Sequence, residues 1–249
     1  MITDTSHNLS PSKSTQYKKE DVLVIIPAYN EQEAILSTVS KVMSAGYDCV
    51  VINDGSTDYT LDICRDVNIP VLNLSVNLGI GGAVQTGHRY AREHGYAVDI
   101  QFDGDGQHDV SSIPALVASI ETGADLVVGS RFVDKSKSSF QSTGLRRAGI
   151  KWLSAVIKLM TGYKIMDVTS GFRACNTNAI NLFCKHYPSD YPEPESIVEA
   201  LKAGLEVAEV SATMHERQGG ASSIKAFSSI YYMLKVTISV ILQGLTRGK

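Results

Sequence analysis

The sequence has no C-x-x-C pair. Its cysteines stand singly at Cys49, Cys64, Cys175 and Cys184. That spacing indicates neither a zinc ribbon nor a thioredoxin-like centre, and scattered cysteines read as small core residues in a reducing compartment. Residues 1–20 lack the apolar stretch of a secretory signal and are rich in Ser, Thr and Lys. They are expected to form a disordered arm on a cytoplasmic protein. No internal repeat is present. The glycine cluster Gly79-Ile80-Gly81-Gly82 places Val84 where a dinucleotide fingerprint needs its third glycine, and no G-x-x-x-x-G-K-[ST] loop occurs. The formal charge of -3 gives no reason to expect nucleic acid as a partner. Acidic residues are missing from Arg217 to the end, where five Lys or Arg remain. Such a tail suits anionic lipid or phosphate.

What is present is an ordinary globular composition, with 43% apolar and 20% charged residues. The 249 residues fit one α/β domain with a small C-terminal addition. Short β-branched runs alternate with helical patterns. The expected strands are 22–27, 49–52, 69–74, 97–102 and 125–129. The expected helices lie between them, the third opening at Gly79 and the next spanning 113–121. Alternation of this kind gives a mostly parallel sheet flanked by helices, with ligands at the carboxyl ends of the strands. Beyond Arg131 the pattern loosens into a loop over 136–144, a basic helix over 145–160 with Trp152, and a polar turn, Ser170-Gly171-Phe172-Arg173. A helix over 197–202 and a strand over 206–210 follow.

Ala226 to about Leu245 reads as a long apolar helix. It has the ~20 residues a bilayer span requires, but Ser228, Ser229, Ser239 and Gln243 dilute it. An interfacial amphipathic helix is expected, with a core helix packed on the domain as the alternative. The basic helix with Trp152 is a second candidate for headgroup contact.

Chemistry concentrates in the turns after strands. Asp103-Gly104-Asp105 with Gln107 follows a buried strand and offers hard oxygen ligands for Mg²⁺ or Mn²⁺, ions usually shared with substrate phosphates. The alternative is a solvated acidic loop that binds nothing. Asp54, in Asn53-Asp54-Gly55-Ser56, is either a turn residue or an acceptor for a base or ribose. The glycines at 79, 81 and 82 either touch a ligand or pack a helix start on the sheet. Arg131, Arg173 and Arg217 lie by Gly-rich turns, where a planar fork of donors suits phosphate.

Six motifs stand in one order: Pro27-Ala28-Tyr29-Asn30-Glu31, Asn53-Asp54-Gly55-Ser56-Thr57-Asp58, Asn77-Leu78-Gly79 with Gly82, Asp103-Gly104-Asp105-Gly106-Gln107-His108, Gly129-Ser130-Arg131, and Ser170-Gly171-Phe172-Arg173. Over residues 21 to about 225 the chain resembles the family 2 glycosyltransferases, and among them the dolichyl- and polyprenyl-phosphate sugar synthases. The resemblance implies a single GT-A-type nucleotide-binding domain over 21–225; residues 226–249, by their own composition, are expected to be a membrane-associated helix. It implies that Pro27, Tyr29, Glu31, Asp54, Gly79 and Gly104 belong to the nucleotide-sugar site. It further implies that Asp103, Asp105 and Gln107 hold the metal, and that Arg131 and Arg173 meet donor diphosphate or acceptor phosphate. Arg217, Gly220 and Ser222 resemble a closing R-x-x-G-x-S-K turn, although Ser223 stands in the place of its Lys. Many such synthases also carry extra transmembrane helices, of which this chain has at most one.

The implied reaction is inverting displacement at the anomeric carbon of a nucleotide diphosphate sugar, with UDP the base-rate guess. The acceptor would be polyprenyl phosphate at the inner membrane face, where a separate membrane protein is a further possible partner. Asp105 is expected to be a catalytic residue whose carboxylate is open to solvent or metal. A lipid phosphate needs no general base. The hydroxyl of a growing cell-surface polysaccharide, the second reading, does need one, and Glu193 or Glu195 is placed for it, with Glu195 preferred. Both acids also suit a helix N-terminus. A catalytically silent nucleotide-sugar-binding subunit is the third reading. A sugar nucleotidyltransferase would need a Gly-rich, Arg-containing N-terminal loop that is absent.

Overall fold

The computed structural model describes residues 16–134, 144–215 and 226–245, with backbone alone for 145, 146, 226–232 and 245. The expected N-terminal arm (up to residue 15), the loop over 135–143 and the turn containing Arg217, Ser222 and Ser223 lie outside the described residues.

Among the described residues seven strands and eight α-helices follow one another, alternating up to α6. Strands β1 (Val22–Ala28), β2 (Asp48–Asn53), β3 (Val71–Asn73), β4 (Val98–Gln101) and β5 (Leu126–Ser130) match the five apolar runs. Helices α1 (Ile35–Ser44), α2 (Thr60–Asp66), α3 (Gly79–Glu93) and α4 (Ile113–Glu121) connect them. Then come α5 (Gly144–Thr161), β6 (Arg173–Asn176), α6 (Thr177–Lys185), α7 (Pro192–Lys202), β7 (Val207–Ser211) and α8 (Ala226–Leu245). The sheet order is β3-β2-β1-β4-β6-β5-β7. All pairs are parallel except those of β6, which runs antiparallel to both β4 and β5.

Strand β6 and helix α6 are additions to the expected pattern. Arg173 ends the polar turn but also opens β6, and the Asn176 side chain caps α6 by accepting from the amides of Asn178 and Ala179 at 2.9 and 3.1 Å. Strand passes to helix without a loop residue between them.

The central strands are buried on both faces, which explains their continuous apolar runs. On one face Val22, Val24 and Ile26 of β1 pack with Ile35 and Val39 of α1 and Leu116 of α4. On the other, Leu23 and Ile25 meet Ala83 and Ala91 of α3. Leu126 and Val128 of β5 pack with Leu153 and Ile157 of α5 and Ile197 of α7. Four free cysteines are all buried, as their core reading requires.

Helix α8 docks on α5 and α7 by burying Val236 and Val240, both 0% exposed. On its outer side Leu234 and Ile238 are 60% and 57% exposed, while Ile241 packs against the same core as Val236 and Val240. Among the described residues no helix is long and apolar enough to cross a membrane.

Gly87 sets the spacing of α3 on the sheet. A Cβ there would lie 2.2 Å from Ile25 Cγ2. Gly87→Ala is therefore expected to destabilise by about 1–3 kcal/mol through overpacking, read as a lower urea midpoint. An unchanged midpoint would mean that α3 does not seat on β1 through this contact.

Candidate functional site at the strand ends

The carboxyl ends of β1, β2 and β4 open into one pocket of about 630 Å³. The loops after β1 and β2 are clasped together. Asn30, at φ +56°, donates its amide to Ser56 Oγ (3.0 Å) and accepts from the Thr57 amide through Oδ1 (2.8 Å). The Glu31 amide donates to Thr60 Oγ1 at 2.9 Å. This clasp holds Pro27, Tyr29 and Glu31 on one wall. Asp54 lines the pocket too, but its Oδ1 accepts the Leu78 amide at 2.7 Å. It thereby ties the β2 turn to the start of α3, where Gly79 and Ile80 form the next wall. Gly81 packs against neither ligand nor sheet: a Cβ there would lie 2.2 Å from the carbonyl oxygen of Pro188.

Asp103, Gly104 and Asp105 complete the pocket. Asp105 lines the pocket, where a metal could reach it, but it is not open to solvent as the sequence also allowed. That residue is 7% exposed, and its Oδ1 accepts the Gln107 amide at 3.0 Å across the turn. Asp103 is held from two sides. His108 Nδ1 accepts the Asp103 amide at 3.0 Å, which leaves the ring proton on Nε2, 3.5 Å from Asp103 Oδ2. Burial pushes the His108 pKa down to about 4, so the ring is neutral at pH 7. It stacks on Phe172 with centroids 4.8 Å apart. Opposite, a Cβ on Gly171 would lie 3.0 and 3.1 Å from the two Asp103 carboxylate oxygens. Glycine is what lets the Ser170–Arg173 turn reach the acidic turn.

The two carboxylates fit a hard divalent cation, because they line one pocket from a single tight turn. Gln107 does not line the pocket. Its backbone carbonyl accepts the His215 amide at 2.8 Å.

The arginines are placed differently from the sequence expectation. Arg131 is 7% exposed, and its fork is taken by Asp167: Nε to Oδ2 at 2.7 Å and Nη2 to Oδ1 at 2.6 Å. Asp167 also accepts the Arg131 amide at 3.0 Å. Glu209 of β7 in turn accepts the amides of Met166 and Asp167 at 2.8 and 2.7 Å. Arg173 is 3% exposed and donates to the carbonyls of Ser170 (2.8 Å) and Glu193 (2.6 Å) and to Ser196 Oγ (2.6 Å). Both guanidinium groups are thus directed to protein acceptors rather than into the pocket. Asp167 and Ser196 were not singled out in the sequence. The one signal for Asp167 was an acid three residues before the Ser-Gly-Phe-Arg turn.

The two acids at the start of α7 separate. Glu193 lines the pocket, fixed through the Arg173 bond to its carbonyl. Burial raises its carboxyl pKa, and Arg173 offsets part of that rise. Glu195, the preferred base in the sequence, points instead into a second cleft beside Ser239 of α8 and Arg89 of α3. Of the two, Glu193 is the one that lines the pocket with Asp103 and Asp105.

Residues 23–183 match Glycosyl transferase family 2. An undecaprenyl-phosphate mannosyltransferase of Micrococcus luteus is 32% identical, covering 82% of this chain and 87% of its own. A polyprenol monophosphomannose synthase of Mycolicibacterium smegmatis is 29% identical, covering 86% and 84%. Glucosyl-3-phosphoglycerate synthase from Mycobacterium tuberculosis, solved with Mg²⁺ and uridine diphosphate, shares the fold with a TM-score of 0.68 at 18% identity, over 92% of this chain and 80% of that one. A GT-A-type sheet with a paired-carboxylate pocket at its strand ends, and a family match that spans the pocket walls from Pro27 to Asp105, lead to one assignment: the chain belongs to glycosyl transferase family 2 and is a glycosyltransferase.

Proposed function

We propose that the chain transfers a sugar, with inversion, from a nucleoside diphosphate sugar to polyprenyl phosphate at the cytoplasmic face of a membrane. The observation that carries this reading is the pocket itself, with Asp103 and Asp105 on one side and the Tyr29–Glu31 loop on the other. UDP is the simplest nucleotide, in keeping with the uridine diphosphate held by the structural relative. The names of the two sequence relatives support a polyprenyl phosphate acceptor.

Asp103 and Asp105 would hold Mg²⁺ or Mn²⁺, which supplies Lewis-acid neutralisation of the leaving diphosphate. The protein's own contribution is preorganisation. His108 and Gly171 fix Asp103, the Gln107 amide fixes Asp105, and the Asp167–Arg131 pair pins the end of β5. Groups already aimed at developing charge need no reorganisation during reaction. A lipid phosphate is already anionic at neutral pH and attacks without a base.

The membrane reading draws on the paired helices α5 and α8. The Trp152 indole N–H donates to Thr237 Oγ1 at 3.2 Å across their seam. Around that seam Trp152, Leu159, Leu234, Ile238 and Leu242 are 57–84% exposed. Lys151 and Lys158 lie exposed beside them, and α5 carries no acid. Apolar and aromatic side chains ringed by cations suit an anionic lipid surface. A separate membrane protein remains a proposed partner on the same grounds.

One observation favours a second reading. Glu193 lines the pocket and has a raised pKa, as suits a base for a sugar hydroxyl.

Four outcomes are expected. With labelled donor, divalent metal and polyprenyl phosphate, label moves into a lipid that mild acid releases. Asp105→Asn lowers that turnover by about 10²–10³-fold with an unchanged melting midpoint, and wild-type turnover would remove Asp105 from the site. Glu193→Gln separates the acceptors. Lipid transfer survives it, whereas transfer to a saccharide hydroxyl falls by about 10²–10⁴-fold. In the saccharide case wild-type activity is lost as pH falls through the raised Glu193 pKa, because only the ionised form accepts a proton, and the mutant lacks that limb. Finally, the chain co-sediments with anionic vesicles, and Leu234→Ser with Ile238→Ser weakens sedimentation. Undiminished binding by the double mutant would exclude this face.

A further inference from the structure

Strand β4 carries polar side chains deeper in the protein than the acidic turn. Asp99, at its second position, is 0% exposed. Cys175 of β6 stands opposite it in register and is 3% exposed. His88 of α3, 2% exposed, covers the pair, with Nδ1 2.6 Å from Asp99 Oδ2. The rings of Phe183 and Tyr187 pack on the imidazole with centroids 5.3 and 5.2 Å away.

Burying a carboxylate in mid-sheet costs several kcal/mol unless it is fully compensated. One imidazole contact compensates Oδ2. The other oxygen, Oδ1, is buried with no nitrogen or oxygen partner, and the Cys175 thiol is the one weak donor beside the carboxylate. The ligand atoms of His88, Asp99 and Cys175 all lie within 4.8 Å of one another. None of the three lines the donor pocket.

We propose that His88, Asp99 and Cys175 form a second, buried cation site, separate from the Asp103–Asp105 pair, that takes a transition-metal ion of the zinc class. Imidazole nitrogen, thiolate sulfur and carboxylate oxygen are the zinc donor set. Mg²⁺ and Ca²⁺ are excluded, because they refuse thiolate. The three side chains supply three ligand atoms, and the second Asp99 oxygen, taken bidentately, can close a distorted four-coordinate site. One thiolate and one carboxylate neutralise the ion's two charges.

Binding displaces the Cys175 thiol proton, and the imidazole presents a free Nδ1 with its own proton held on Nε2. Without an ion, burial and then the Asp99 charge hold the Cys175 thiol well above its usual range. The residues are far apart in sequence, so the spacing of the cysteines gave no sign of the site. Its effect is to rivet α3 to β4 and β6, the elements that lead into the donor pocket.

The test measures metal in the whole chain, purified without chelator, loaded with zinc and then desalted. Elemental analysis should return roughly one tightly held zinc per chain, as a closed structural site implies, in wild type and in Asp105→Asn. Cys175→Ser and His88→Ala should lose it. Cobalt(II) put in place of zinc should show a near-ultraviolet thiolate-to-cobalt charge-transfer band, absent in Cys175→Ser. The cobalt spectrum of the wild type decides the matter even if the variants do not fold. Absence of both retained zinc and the cobalt band would overturn the proposal. So would zinc that disappears in Asp105→Asn, since that ion belongs to the donor pocket.

Discussion

Strand β4 is hydrogen-bonded on both sides, to β1 in parallel and to β6 in antiparallel register, and it ends at the acidic turn. Its alternation governs the rest. Val98, Ile100 and Phe102 enter the apolar core shared with α1 and α4. Asp99 and Gln101, and then Asp103, fall on the opposite side. The same period brings Cys175 and Arg173 of β6 opposite Asp99 and Gln101. A shift of one residue in either strand would send the polar row into the apolar core and the apolar row among the carboxylates. Register in the middle of the sheet and geometry at the pocket are therefore one constraint.

The site is also notable for how little of its cationic charge faces it. Arg131 and Arg173 end at Asp167, Ser196 and backbone carbonyls. Removing Asp167 would leave a buried guanidinium without its main partner, a loss of the order of 3–5 kcal/mol. These arginines build the frame of the pocket. Arg173 holds the start of α7 and with it Glu193, while Arg131 joins the end of β5 to the loop before β6.

Much of this was legible in the sequence, for identifiable reasons. Buried parallel strands read as apolar runs, and each polar turn marked a strand end, so the pocket walls from Pro27 to Asp105 were found. Strand β6 was not. Arg173-Ala174-Cys175-Asn176 is short, begins with a cation and passes straight into a capped helix, so neither period nor punctuation announced it. Glu193 and Glu195 are two residues apart, about 200° around a helix. Which one faces the pocket depends on how α7 docks, and that is set by Arg173 and Ser196. The arginines misled for a similar reason: a glycine-rich turn shows a cation but not the acid 36 residues away that takes it. On α8 the apolar residues stand on more than one face: Leu234 and Ile238 stay exposed, and docking on α5 and α7 uses Val236 and Val240.

The seam between α5 and α8 has an optical consequence. The chain contains a single tryptophan, and it is Trp152, 59% exposed with its N–H on Thr237. Every photon emitted by indole comes from that surface. Emission wavelength, quenching by aqueous iodide and quenching by brominated acyl chains each report the polarity of this one place. The native chain thus carries its own site-specific fluorophore for whatever medium the two helices meet.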